Sequence, residues 1–330
     1  MHIFSACDVA RYILAALALI FAPAWAQGDF PTKAVRIIVP YAEGTATDLV
    51  IRAVGERLAE SLGKPVLIEN HLGAGADLGS FLVSKEEADG YTLLAATPAN
   101  AVNMTLLDKP AYDTARDFVA VARIGYAPLV MVAPVTATAR TVAQIVAEAR
   151  AKPGRLNYAS TGNATMQHLA GEMFRLAAGL YVVHVPQPDA AAAIVDLMAG
   201  RIAYLFANPI EVIDQVQIGR LRALAVAGEH RPAFLASVPT MIEAGYADFE
   251  ATLWWGLLAP AKTPELAVSR LYDHLIKALS HADMPARLGR LGGVIAPMAP
   301  DQFGNFVRAE IKRWGEVIKA ANVRLVERGR

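Results

Sequence analysis

The sequence predicts an α/β protein of two lobes, each built on a doubly wound sheet, with a ligand cleft between them. Short apolar or β-branched runs alternate with segments of helical period along most of the chain. This pattern is typical of repeated strand-helix units. Hydrophobic residues make up 55% of the chain, and 31 Lys and Arg balance 31 Asp and Glu. That composition favours a compact α/β protein and argues against nucleic-acid binding.

The predicted strands are short runs, each expected to be buried and parallel to its neighbours. They lie at 35–39, 66–68, 92–95, 129–132, 156–159, 182–185, 202–206 and 221–226. Helices are predicted at 48–62, 142–151, 167–177 and 190–198, with two amphipathic helices at 264–280 and 300–321 in the C-terminal third. Ligand sites of such folds lie at the carboxyl ends of the strands.

The chain contains no long polar linker, so the two lobes must be joined by segments that cross between the sheets. We expect these crossings near Pro128 and Gly228. Lobe 1 then comprises 27–128 and 229–330, and lobe 2 comprises 129–228.

The first 26 residues have the composition of an export signal. A basic region ends at Arg11, an apolar run covers 12–23, and an Ala-Trp-Ala sequence ends at Ala26, as signal peptidase requires. The apolar run is about half of the roughly 20 residues that span a membrane. We therefore expect 1–26 to be cleaved and the mature protein to be periplasmic, with an uncleaved anchor as the alternative. The only cysteine, Cys7, precedes the apolar run, so the mature chain has no thiol.

Two loops that connect a strand to a helix are candidates for a ligand site. The first, 40–48, is rich in small residues and contains Thr45 and Thr47. Free amides at a helix N-terminus stabilise an anion by about 0.3 to 2 kcal/mol, and a hydroxyl adds a directional hydrogen bond. The alternative is that these threonines only cap the helix.

The second loop, 159–168, repeats this chemistry about 115 residues later. Two such loops in different lobes could hold a carboxylate from both sides of a cleft, although capping is again the alternative. A third glycine-rich turn, 73–79, lacks the spacing of a dinucleotide-binding loop, and the chain has no lysine-bearing phosphate loop. We therefore expect no cofactor.

An enzyme is disfavoured by the same residues. The histidines are dispersed singly, so no metal site is expected. Ser160, His184 and Asp189 could serve as nucleophile, base and orienting acid, but the loop lacks the G-x-S-x-G turn that exposes a nucleophilic serine. Trp254 and Trp255 should point to opposite faces of a strand. Either Trp254 lines the cleft or both tryptophans fill the core.

Short motifs in a fixed order and spacing identify a family. They are VRIIVP (35–40) before Gly44 and Asp48, EN (69–70), GAG (73–75), DGYTLL (89–94), LNYAS (156–160), GN (162–163), HLAGE (168–172), VHVP (183–186), LRALAV (221–226) and GLLAP (256–260). With these motifs the chain resembles, over nearly its whole mature length, the Bug or TctC receptors of tripartite tricarboxylate transport systems.

The resemblance implies a type II periplasmic-binding-protein fold, no enzymatic activity, and a small carboxylate held by amides and hydroxyls of the two loops. The implied ligand contacts are Tyr41, Gly44, Thr45, Thr47, Ser160, Thr161, Asn163 and Thr165, to which we add Asn208 and Trp254. Asp48 and His168 are assigned to support the loops. A monomer is expected, with membrane permease subunits as its partner; a sensor histidine kinase is the alternative partner.

Two departures from the family pattern concern the ligand. The first loop has Glu43 where prolines and glycines are usual, and Asp189 replaces part of a usual Tyr-Lys-Gly. An unfavourable charge pair in a dry cleft costs several kcal/mol. We therefore expect di- and tricarboxylates to be disfavoured, and a monocarboxylate, an amide or a zwitterion to be preferred.

Overall fold

The computed structural model describes residues 30–325, so the predicted signal peptide, 1–26, lies outside the described residues. The strands are β1 (Val35–Val39), β2 (Val66–Asn70), β3 (Thr92–Ala96), β4 (Phe118–Pro134), β5 (Asn157–Ser160), β6 (Val183–Pro186), β7 (Tyr204–Ala207), β8 (Leu221–Ala227), β9 (Thr252–Pro260) and β10 (Val294–Met298). The helices are α1 (Ala46–Leu62), α2 (Asp77–Ser84), α3 (Pro98–Leu106), α4 (Thr114–Asp117), α5 (Val142–Ala151), α6 (Met166–Ala178), α7 (Ala190–Met198), α8 (Pro209–Gln217), α9 (Glu265–Leu279), α10 (Met284–Arg290) and α11 (Pro300–Ala321). None of these helices combines the length and apolar character needed to cross a membrane.

Two sheets share the long strand β4. The first sheet has the order β2-β1-β3-β9-β4, with β10 also pairing to β4, and the second has the order β4-β7-β5-β6, with β8 also pairing to β4. The partner of β4 changes from β9, at Pro128, to β8, at Leu129. The predicted lobe boundaries stay predictions. The parallel neighbours β1 and β3, and likewise β5 and β7, bring the loops that follow them to one edge of each sheet.

Two of the strands predicted to be parallel are antiparallel. Segment 129–132 is the end of the 17-residue strand β4, which runs antiparallel to both β7 and β8. Segment 221–226 lies in β8, which pairs with β4. Composition cannot distinguish the two cases, because a buried antiparallel strand can be as continuously apolar as a parallel one, and only the connections decide its direction.

The helix predictions at 142–151, 190–198 and 300–321 match α5, α7 and α11. Helix α3 was not predicted, although its sequence carries a strong start signal. Thr97 accepts a hydrogen bond from the Ala99 N–H, Pro98 occupies the first turn, and Asn100 Oδ1 accepts one from the Thr97 N–H, which completes a capping box. Helix α11 packs against α3 and α6 and so contacts elements that follow strands of both sheets.

Candidate functional site

A cavity of about 500 Å³ lies where the segments after β1, β3, β5 and β7 converge. Residues that follow strands of the first sheet contribute Tyr41, Thr97, Val102, Asn103, Leu106 and Leu107. Residues that follow strands of the second sheet contribute Asn163, Ala164, Thr165, Met166, Gln167 and Asn208. Its volume is within the range of small-molecule sites. Among the described residues that line it, none carries a charge.

The first loop is braced by a charged network centred on Asp48. This fully buried carboxylate accepts hydrogen bonds from the Gly44 N–H (2.9 Å), Arg52 Nε (2.9 Å) and Asn70 Nδ2 (2.8 Å). Burial opposes ionisation of Asp48, but the hydrogen bonds from these three groups outweigh it and lower its pKa below the ordinary value. Asp48 therefore holds the loop as a carboxylate.

The threonines of the first loop are engaged within the protein. Thr45 Oγ1 donates to the Ala42 carbonyl (2.8 Å) and accepts the Asp48 N–H, which caps α1. Thr47 is buried, and its hydroxyl accepts the indole N–H of Trp255 (3.2 Å). Tyr41 is the loop residue that lines the cavity. Its hydroxyl lies 2.6 Å from Thr97 Oγ1, and burial raises its pKa to about 12, so it is a neutral phenol.

The second loop is braced by two histidines. The Ala164 N–H donates to His168 Nδ1 (2.9 Å), which requires that nitrogen to be unprotonated. Ser160 Oγ lies 2.6 Å from His184 Nε2 and also hydrogen-bonds within the turn to the N–H and the carbonyl of Gly162. The two imidazole rings stack with centroids 3.8 Å apart. The sequence showed these histidines as isolated because β6 and α6 bring them together only in the folded chain.

Both histidines are held neutral. Burial lowers the pKa of His184 to about 4, with a smaller contribution from the neighbouring His168. Burial also lowers the pKa of His168. A proton on either ring would place a charge on a buried imidazole, and the Glu172 carboxylate offsets that cost only in part, so the loop geometry is that of the neutral pair.

The start of α6 presents unused hydrogen-bond donors to the cavity. Thr165 caps this helix by accepting the His168 N–H, and its hydroxyl donates to the Gly162 carbonyl (2.8 Å). Within the described residues, no hydrogen bond uses the main-chain N–H of Met166 or Gln167, and both residues line the cavity. Such amides at a helix N-terminus are suited to a carboxylate.

Ser160 and His184 are within hydrogen-bonding distance, as a nucleophile and its base would be, but the rest of a catalytic site is not assembled around them. Ser160 is 1% exposed. The carboxylate of Asp189 accepts the Ala192 N–H (2.8 Å) as the N-cap of α7. Asp189 therefore serves helix α7 and does not orient His184.

The predicted ligand contacts divide into two groups. Tyr41, Asn163, Thr165 and Asn208 line the cavity. Gly44, Thr45, Thr47, Ser160, Thr161 and Trp254 do not. Of the two alternatives for Trp254, the structure has the second: it is fully buried in the core, where its indole N–H donates to Glu310 Oε2 (3.0 Å). The predicted specificity residues Glu43 and Asp189 also lie outside the cavity lining, and the Glu43 side chain is 80% exposed beside Arg52.

The residues missed by the sequence analysis come mainly from α3. The cavity is lined along this helix by Val102, Asn103 and Leu106, and just after it by Leu107. The capping signal at Thr97 could have located the helix. Its orientation toward the loops could not have been read from the sequence, since it depends on packing against α11.

The fold and the cavity between segments of the two sheets define a periplasmic binding protein. A solved periplasmic transporter is 33% identical and superposes with a TM-score of 0.76, covering 90% of this chain and 100% of its own. A Rhodopseudomonas palustris protein solved with adipate is 29% identical, with a TM-score of 0.76, and also covers 90% of this chain and 100% of its own. Another protein of that organism, solved with malate, is 28% identical, with a TM-score of 0.72 over 88% of this chain and 100% of its own.

The chain belongs to the tripartite tricarboxylate transporter family receptors, whose family model matches residues 50–323. The protein BugT of Bordetella pertussis is 32% identical over 95% of this chain and 96% of its own length. The predicted family and fold class are confirmed. The family and the fold are those of periplasmic solute-binding receptors.

Proposed function

We propose that this protein captures a small organic acid between its two lobes and delivers it to a tripartite tricarboxylate-type membrane transporter. One observation carries the proposal: residues that follow strands of both sheets line the cavity, and they include Met166 and Gln167, whose main-chain N–H groups have no hydrogen-bond partner among the described residues. These donors, with the neutral hydroxyl of Tyr41, suit a carboxylate without any charged side chain. The relatives solved with adipate and malate support a carboxylate as the ligand.

The binding step is tested with the purified mature protein in a thermal-shift screen of mono-, di- and tricarboxylates, confirmed by calorimetry. A ligand at 100 times its Kd should add about 2.7 kcal/mol to the stability. Thr165→Val, which alters a cavity residue, should weaken binding, whereas Thr141→Val, which alters the cap of a helix away from the cavity, should not. If none of the carboxylates stabilises the protein, the proposal is rejected.

Export and delivery are tested separately. Mass spectrometry of periplasmic protein should show a mature N-terminus at Gln27. Deletion of the gene should abolish uptake of the bound acid and leave transcriptional responses to it intact. Loss of the transcriptional response with unchanged uptake would favour a sensor kinase as the partner. Ester hydrolysis that disappears in Ser160→Ala would reject a pure binding role.

A further inference from the structure

The cavity has two chemically different ends along helix α3. Thr97, the N-cap of the helix, and Leu106 and Leu107, at its C-terminal end, all line it. Nine helical residues rise roughly 14 Å, so the cavity follows α3 along its whole length. An extended small molecule can therefore lie with one end near each terminus of α3.

The end near the α3 C-terminus is apolar. Val102 and Leu106 of α3, together with Leu107, the residue that follows the helix, form one wall of the cavity. Val102 is 4% exposed, and Leu106 packs against the hydrophobic core, so this wall is fixed. An alkyl or aromatic group placed here exchanges water for hydrocarbon contacts.

The same end is unfavourable for an anion. A helix C-terminus is the negative end of the helix dipole, and its last carbonyls point outward. None of the described lining residues is a cation. At the other end of α3, the Ala99 N–H already bonds to the Thr97 hydroxyl and the Asn100 N–H to the Thr97 carbonyl. The free amides of α6 therefore supply one carboxylate site, and a second carboxylate would remain unpaired in apolar surroundings.

We propose that the cavity selects a monocarboxylate with a hydrophobic body, and that Leu106 and Leu107 determine this specificity. The carboxylate bonds to the start of α6, and the body lies along α3. This inference rests on the proposed function and adds the ligand class. In this proposal the apolar wall of α3 disfavours polycarboxylates. Glu43 and Asp189, which were expected to do so, do not line the cavity.

In an alternative arrangement, a second carboxylate of the ligand would bind to cations of α11 and of the segment after it. Lys319 and Arg324 line a neighbouring cavity, which shares Leu106 and Leu107 with the first. A long dicarboxylate that passed the two leucines would meet these cations. Lys319→Ala combined with Arg324→Ala separates this arrangement from ours, because it would weaken dicarboxylate binding only if the cations hold the second carboxylate.

The test is calorimetry with hexanoate and adipate, which have the same six carbons and differ in one terminal carboxylate. We expect hexanoate to bind at least tenfold more tightly. In the series butanoate, hexanoate and octanoate, affinity should rise about fourfold per methylene until the apolar end is filled. Leu106→Gln and Leu107→Gln should remove most of this rise, and Leu106→Lys should improve adipate binding. Ile218→Gln is the matched control, because Ile218 is 62% exposed and lies outside the cavity lining. It should change neither the rise in affinity with chain length nor the affinity for adipate.

Tighter binding of adipate than of hexanoate would overturn the inference and leave the proposed function standing. If the Lys319 and Arg324 double variant then lost the tighter binding of adipate, those two cations would be assigned to the second carboxylate. An equal response to both acids in the wild type and in Leu106→Gln would also overturn it. Binding of neither acid, nor of any other carboxylate in the screen, would overturn the proposed function and the inference together. Circular dichroism of each variant verifies that it is folded before binding is measured.

Discussion

The two loops that precede α1 and α6 have the same local design but different supports. In both, a strand ends in a turn rich in small and hydroxyl residues, and a threonine caps the next helix. The first loop is held by the ionised Asp48 with Arg52 and Asn70, whereas the second is held by the neutral His168 and His184. Only Tyr41 of the first loop reaches the cavity, while Asn163, Ala164 and Thr165 of the second all line it.

A shared sequence pattern therefore does not give the two loops an equal share in lining the cavity. The first loop depends on a buried charge, so it is expected to be sensitive to the loss of that charge. The second depends on neutral imidazoles, so it is expected to be sensitive to acid. Substitutions in the second loop should therefore change ligand affinity more than substitutions in the first.

The largest effect is expected at Asp48. Asp48→Ala removes the acceptor of three groups, but it leaves Arg52 39% exposed to water, so it should lower the free energy of unfolding by about 2 to 4 kcal/mol. Chemical denaturation measures this loss. Glu43→Ala removes the exposed partner of the same arginine and should produce a change near zero. Equal losses in the two variants would show that burial of Asp48 is not the source of its contribution.

Acid should destabilise the protein through the second loop. Unfolded His184 takes up a proton near pH 6.5, whereas the folded protein resists protonation until its pKa of about 4. The unfolded chain therefore binds more protons between these values, and stability falls as the pH drops from 6.5 to 4, by about 1 to 3 kcal/mol. Denaturation midpoints measured across this range should fall less steeply in His184→Gln. An identical slope in the variant would assign the pH dependence to other groups.

Matched cap substitutions separate stability from binding. Thr45→Ala and Thr165→Ala each remove a helix cap and a hydrogen bond within the loop, so each should cost about 1 kcal/mol of stability. Only Thr165 lines the cavity. Calorimetry with a confirmed ligand should therefore show weaker binding for Thr165→Ala alone. A similar loss of affinity in both would mean that the first loop contributes more to binding than its place in the structure indicates.

The smallest effect is expected for the acidic residues that the sequence analysis assigned to specificity. Glu43→Gln removes an exposed charge, and Asp189→Asn retains a residue able to cap α7. Each should change the ratio of hexanoate to adipate affinity by less than about twofold, because exposed charges outside the cavity are screened by solvent. A shift toward adipate in either variant would restore Glu43 or Asp189 as the basis of selectivity.

The sequence predicted the regular elements best where local signals were strong. Helices α5 and α7 begin after Thr141 and Asp189, which cap them, and their predicted bounds match the structure. The placement of Asp48 against the first loop was also predicted, through the resemblance to the family. The cavity wall on α3 was missed because this helix was not predicted, and its capping signal at Thr97 would have located the helix without giving its direction in the fold.

What the sequence by itself determined is the family, the alternation of strands and helices, and the two loops with capping threonines, since these depend on neighbours along the chain. The tertiary structure decided which residues reach the cavity. It placed Trp254 in the core, stacked His168 on His184 from separate elements, and brought α3 alongside the second loop. Those contacts join residues distant in sequence, and their geometry is set by how the two sheets share β4 and how α11 packs across them.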